Sequence, residues 1–186
     1  MQEVDNVLRI LKETKKAINE GDFYRIKFLS DQTIHTATVY QDPDNIIVAV
    51  LVYSISKIMS RENYKQMKGW DEFYSAVIKN LDVSISSLEK KDIEKFRESV
   101  GNIRELINKI SGSLSEYIKD VFKKAEINKA FKIYEHGLSS EKTAELLGVS
   151  LWDLSSYIGQ STVSEARLND SMPVKNRIKL AESFFK

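Results

Sequence analysis

Acid–base chemistry needs a histidine or a carboxylate held by a partner, and this sequence offers few places for it. It contains two histidines. His35 lies in "SDQTIHTAT", with Asp31 one turn before it and Thr38 one turn after it. An Asp at i−4 on a helix can orient an imidazole for proton transfer. The same residues also make an ordinary semi-buried polar cluster. His136 sits beside Gly137 at the end of a helical stretch, where a histidine commonly meets free carbonyls. There is no cysteine, which excludes thiol catalysis, cysteine zinc sites and a disulfide framework. Phosphate-cradling loops, G-x-G-x-x-G, G-x-S-x-G and clustered metal ligands are absent from the sequence. We therefore expect no catalytic residue, no metal and no cofactor.

The more informative stretch is "SSEKTAELLGVSLWDLSSYIGQ", Ser139 to Gln160. It reads as a helix, a tight turn at "GVS" and a second helix over 151–158, with Ser150 as its N-cap. Thr143 and Ala144 fall where two helices would cross, Gly148 falls at the turn, and Leu147, Val149, Leu154 and Tyr157 fall where such an element packs. Upstream, "INKAFKIYEHGLSS" supplies a helix to pack against. Over 126–160 the chain resembles the helix-turn-helix superfamily. "AELLGVSLWDL" is similar, more narrowly, to prokaryotic antitoxin-type proteins with a short element of that kind. The resemblance implies a DNA-binding regulator, with Ser150, Trp152, Ser155, Ser156 and Gln160 on the reading face.

The chemistry of that face is mixed. It has no Lys or Arg, so it lacks the guanidinium fork that most often reads guanine. Ser150, Ser155 and Ser156 suit phosphate oxygens, Gln160 suits an adenine edge, and Asp153 repels phosphate. Leu151 and Trp152 suit a protein interface, or a core contact between this element and the rest of the chain. In the tail, Pro173 opens a further helix carrying Lys175, Arg177 and Lys179, with Ile178, Ala181 and Phe185 inward. Those three cations either clamp a DNA backbone or form a solvated face. Duplex DNA, or a protein partner such as a toxin, is the expected ligand. Two half-sites read by a homodimer would offset a weak reading helix.

Composition limits these choices. The chain has 186 residues, 42% hydrophobic and 30% charged, with a formal charge of +1. A protein held on nucleic acid by phosphates usually shows a basic excess. Residues 125–186 hold eight Lys or Arg against eight Asp or Glu, so the C-terminal part is not a basic module. The N-terminal stretch is amphipathic and charged, with no apolar signal core. The longest apolar run, 46–59, is too short for a membrane span and is interrupted by Ser54, Ser56 and Lys57. We expect a cytoplasmic protein with no membrane contact.

With Gly at 7 and Pro at 2, few residues interrupt helices, and an all-α protein follows. Helices are predicted over 3–20, 22–40, 44–61, 70–89 and from 93 onward. The first carries Val4, Leu8, Leu11, Lys15 and Ile18 on one face, and the second Phe23, Ile26, Leu29, Thr33, Ala37 and Tyr40. The third is apolar on nearly every side and belongs in the middle of a bundle. Its β-branched residues at 46–52 leave a strand as the alternative. "RENYKQMKGWDE" reads as a loop with one helical turn, and "SGS" at 111–113 as a kink or an end. The result is a bundle of about five helices over 1–120, then a helix-turn-helix region with a C-terminal helix over 121–186. The bundle resembles the HEPN group, helical bundles of toxin–antitoxin and defence systems. Its ribonucleases place an Arg and a His four to six residues apart on one helix. Here nine residues separate Arg25 from His35, so the resemblance implies a relative without the catalytic pair. A ribonuclease using His35 is the remaining enzymatic alternative.

Overall fold

Short polar residues set where the helices begin. In the computed structural model, which describes residues 1, 3–109 and 113–168 (side chains of 104, 107–109 and 162–168 excepted), α1 is Val4–Glu20, α2 Phe23–Tyr40, α3 Pro43–Met59 and α4 Glu62–Lys65. Then come α5 Trp70–Glu89, α6 Ile93–Lys109, α7 Ser113–Glu135, α8 Ser140–Leu147 and α9 Leu151–Leu168. Asp22 accepts a hydrogen bond from the Arg25 N–H at 3.0 Å, Asp42 from Asp44 at 3.0 Å and Asp92 from Lys95 at 3.0 Å. Each satisfies an amide that the first turn leaves without a partner. Gly21 closes α1 at φ 71°, a left-handed conformation costly for other residues. Among the described residues every regular element is helical, and residues 46–52 lie inside α3, so the strand alternative falls away.

The packing follows from α3. Nearly all its residues from Asp44 to Met59 are buried, on every side of the helix. It lies against α2 and α7, with further contacts to α1 and α8. Its hydroxyls are satisfied locally: Ser54 donates to the Val50 carbonyl at 2.8 Å and Ser56 to that of Phe23 at 2.8 Å. Ser30 of α2 donates to the Ala49 carbonyl at 2.7 Å and so joins the two helices. The largest core cluster gathers Ile10, Leu11, Ile26, Leu29, Ile55 and Phe96 with their neighbours.

Two expected faces shift. The buried stripe of α1 is Val7, Ile10, Leu11, Thr14, Ala17 and Ile18; Val4 and Leu8 are half-buried and Lys15 pairs with Asp82 of α5. On α2, Ile34 and Thr36 are buried and Tyr40, the last residue before the turn into α3, is exposed. Tyr117 is about half exposed, with its ring stacked on that of the buried Tyr64 at 5.6 Å. α7 runs unbroken from Ser113 to Glu135, through the region where the sequence suggested a boundary. Of the stretch 111–113, where a kink or an end was expected, Ser113 begins α7 and residues 111 and 112 lie outside the described residues.

Two positions on α3 and α6 yield predictions. Arg97 of α6 grips Asp44 of α3 with two hydrogen bonds of 2.9 Å. Burial alone pushes the Asp44 carboxyl up, but the bonds and charge of Arg97 outweigh it and hold it below its ordinary value. The stabilisation is complete above the ordinary carboxylate range and is lost as pH falls through the depressed folded value. Asp44→Asn should cost about 1–2 kcal/mol at neutral pH, less than a fully buried pair because Arg97 is half exposed. In urea titrations the variant should also show a smaller acid-dependent drop in stability, the remainder coming from groups such as Glu13, which Arg9 and Arg25 hold below its ordinary value. Gly101 is a mid-helix glycine of α6 where an added Cβ meets no described atom within 4 Å. Gly101→Ala should therefore stabilise the protein by about 0.5–1 kcal/mol in the same titration.

Candidate recognition site

The site begins with the caps of α8 and α9. Ser139 accepts from the Lys142 N–H at 3.2 Å and starts α8. Gly148 ends it at φ 65°, and its N–H returns to the carbonyls of the last turn. Ser150 then accepts from the Asp153 N–H at 2.9 Å and starts α9. Ser150 is thus spent on the helix it begins, which lowers its value as a contact for a ligand. Thr143, Ala144 and Leu154 are buried. Ala144 and Leu154 form a small core with Ala130 and Phe131 of α7, and Leu147, Val149, Tyr157 and Ile158 pack around it. The Phe131 and Tyr157 rings meet edge to face at 5.4 Å, and Asn128 donates to the Tyr157 hydroxyl at 3.1 Å. α8 is also held to the bundle, where Leu138, Leu146 and Leu147 pack on Ile34, Ile46 and Ile133.

That packing decides which face of α9 is free. Leu151, Trp152, Ser155, Ser156, Gly159 and Gln160 are exposed, two per turn. The expected contact residues Trp152, Ser155, Ser156 and Gln160 therefore share one surface. Trp152 is 82% exposed and Leu151 43%, so the core contact considered for Trp152 is not made. Asp153 turns sideways, its carboxylate 4.0 Å from the Lys123 ammonium of α7. α9 runs to Leu168, ten residues past the expected end at 158, because Ser161 and the residues after it present no helix breaker. Lys175, Arg177 and Lys179 lie outside the described residues.

The histidine cluster is organised differently from the acid–base arrangement its spacing suggested. Asp31 accepts from Lys129 of α7 at 2.7 Å, and Thr38 donates to the Ile34 carbonyl at 2.8 Å. The His35 ring instead lies edge-on to His136 at 6.3 Å, on the exposed side of both helices. Arg25 points to α1, where it pairs with Glu13 at 3.1 Å, and Lys57 lies over the Tyr53 ring. None of the described pockets is lined by His35. Among the described residues no group of three His, Cys, Asp or Glu is placed to hold a metal ion. No described helix is long and apolar enough to cross a membrane.

Lys129 is the residue that spacing did not reveal. Its side chain is fully buried, with Nζ on Asp31 and 4.2 Å from the centre of the Tyr53 ring. The long stem fills apolar space while the ammonium meets a carboxylate and an aromatic face. Burial pulls the Lys129 ammonium below its ordinary value, and Asp31 opposes that only in part. Burial also pushes the Tyr53 phenol up. The only signal in the sequence was the register of Lys129 with Ala125, Ala130 and Ile133.

No protein-family model matches the sequence, and neither a curated protein nor a solved structure matches the chain.

Lys129 and Asp31 give a prediction with a worked sign. A lysine whose folded value is depressed opposes folding while it is charged, and the opposition is relieved as pH rises toward its ordinary value. Stability should thus rise with pH in the alkaline range below 10.5, and Lys129→Met should abolish that rise. Asp31→Asn leaves the buried ammonium alone and should cost about 3 kcal/mol, most of it recovered in the Asp31→Asn/Lys129→Met double variant. Thermal and urea unfolding of the four proteins test this; additive single effects would refute the pairing.

Proposed function

We propose that the chain is a non-enzymatic regulator, antitoxin-like in kind, whose α8–α9 helix-turn-helix docks a protein partner through Leu151 and Trp152. One observation carries this reading: Trp152 is 82% exposed beside a 43% exposed Leu151, on a helix whose opposite face is already packed. A large exposed aromatic next to an aliphatic side chain is the composition of an interface anchor. The serines around it provide a polar rim to the apolar centre. Charge supports the same choice, since the exposed residues of α9 from Leu151 to Gln160 include no cation and the whole chain is near neutral.

DNA binding is the second reading, and the local architecture favours it. Buried Thr143, Ala144 and Leu154 with a left-handed Gly148 are the arrangement that holds a reading helix against its neighbour. On that reading Ser155, Ser156 and Gln160 meet the duplex, and Lys175, Arg177 and Lys179 supply the missing charge.

Two measurements separate the readings. A photo-crosslinking residue at position 152, expressed in the protein's own host, should give a discrete protein adduct, and one at exposed Lys90 on the α5–α6 turn should not. Random duplex DNA should show no salt-dependent binding to the purified chain. Binding that falls steeply with salt and disappears on replacing Lys175, Arg177 and Lys179 by Ala would assign the face to DNA instead.

A further inference from the structure

The chain holds two histidines, and the fold brings them face to face. His35 lies within α2, and His136 follows the last residue of α7. Their ring centres stand 6.3 Å apart, with the planes inclined at 66°. Both side chains are exposed. Neither ring has a hydrogen bond or an ion pair with another described residue, so their nitrogens are open to a ligand from solvent. A neutral imidazole with a free ring nitrogen is the commonest side-chain ligand of transition-metal ions.

The separation suits one shared ion. A ring nitrogen binds zinc at about 2.0–2.1 Å, so two imidazoles on one ion set their ring centres about 5–6.5 Å apart. The observed 6.3 Å falls in that range, and rotation of two surface side chains adjusts the angle. The cations one turn away are already matched. Asp31, one turn before His35, accepts from Lys129 at 2.7 Å, and Lys132, one turn before His136, pairs with Glu135 at 2.6 Å. His136 also stands just past the last turn of α7, where the helix dipole places partial negative charge that favours a cation. Among the described residues no third His, Cys, Asp or Glu is grouped with the pair, so water completes the coordination. Imidazole ligands suit zinc, copper or nickel, whereas magnesium and calcium prefer oxygen.

We propose that His35 and His136 form a two-imidazole site for a divalent transition-metal ion of the zinc and nickel class. The ion joins α2 to the end of α7, one residue before Gly137, whose left-handed backbone (φ 101°) opens the turn into α8. It thus ties the root of the helix-turn-helix to the bundle. Neither Leu151 nor Trp152 takes part in it.

Calorimetric titration of the untagged full chain with zinc chloride and with nickel chloride tests this, with magnesium chloride as the oxygen-seeking control. Zinc and nickel should each bind once per chain and raise the thermal unfolding midpoint, and magnesium should do neither. His35→Ala and His136→Ala should each weaken binding by at least about 10-fold. The double variant should lose little more than either single one, because a lone imidazole cannot chelate. Both rings are exposed, so without metal the variants should unfold no more easily than the wild type, which separates lost binding from lost folding. The wild type gives a readout free of any substitution. It has no other histidine, so proton–nitrogen correlation spectra of its imidazoles report the two ligands alone, and zinc should shift both. No binding of zinc or nickel at about 1 mM overturns the inference. So does binding that either single variant retains in full, a stoichiometry of one ion to two chains, or a zinc-induced shift at only one ring.

Discussion

Helix α3 carries apolar side chains on all its faces, so it is stable only where other helices cover every side of it. That requirement sets the arrangement of the chain. α1 and α2 cover it from the N-terminal side, α7 from the C-terminal side, and α8 closes its first turns around Ile46. The cover cannot be purely apolar, because α3 also carries Ser54 and Ser56 in buried positions. Both hydroxyls bond to carbonyls, one on its own helix and one at the start of α2, so burial leaves neither without a partner.

α7 joins this core to α8 and α9. Its N-terminal half packs in the bundle through Leu114, Ile118 and Val121, and its C-terminal half carries Ala130 and Phe131 beneath α8 and α9. Between the two halves lies Lys129, with its ammonium between Asp31 of α2 and the ring of Tyr53 of α3. A buried ion pair contributes little net stability, but it tolerates few geometries. Here the pair joins α7 to α2, and the Tyr53 ring beneath the ammonium joins it to α3. The same contact explains why Asp31 does not serve His35. A carboxylate already bonded to a buried ammonium holds that geometry, and the imidazole is left at the surface against His136.

What the sequence revealed was local. Aspartates and serines before apolar runs marked the helix starts, and glycines at 21 and 148 marked two ends, because a cap is a contact between near neighbours. The central place of α3 was also legible, since an apolar run on all sides admits only one environment. The stripe of α1 was read one residue out of phase because Val4 and Leu8 resemble core residues; tertiary contacts brought Val7, Ile10 and Thr14 inward instead. Trp152 was ambiguous for the same reason, since one indole suits a core, a protein interface or a DNA face equally. Lys129 left only its register as a signal, since a lysine on a helix looks like a solvated residue until its partners on two other helices are placed.

The exposed face of α9 decides between roles because its uses exclude one another. A duplex would need Ser155, Ser156 and Gln160 open together with the residues at the start of the helix. Seating Trp152 and Leu151 in a protein partner would close the start of that same helix and set its serines at a protein rim. On the docking reading, then, partner binding opposes DNA binding. Near-neutral charge is consistent with this order of events: without a basic surface, phosphates offer little to compete with the burial of an indole.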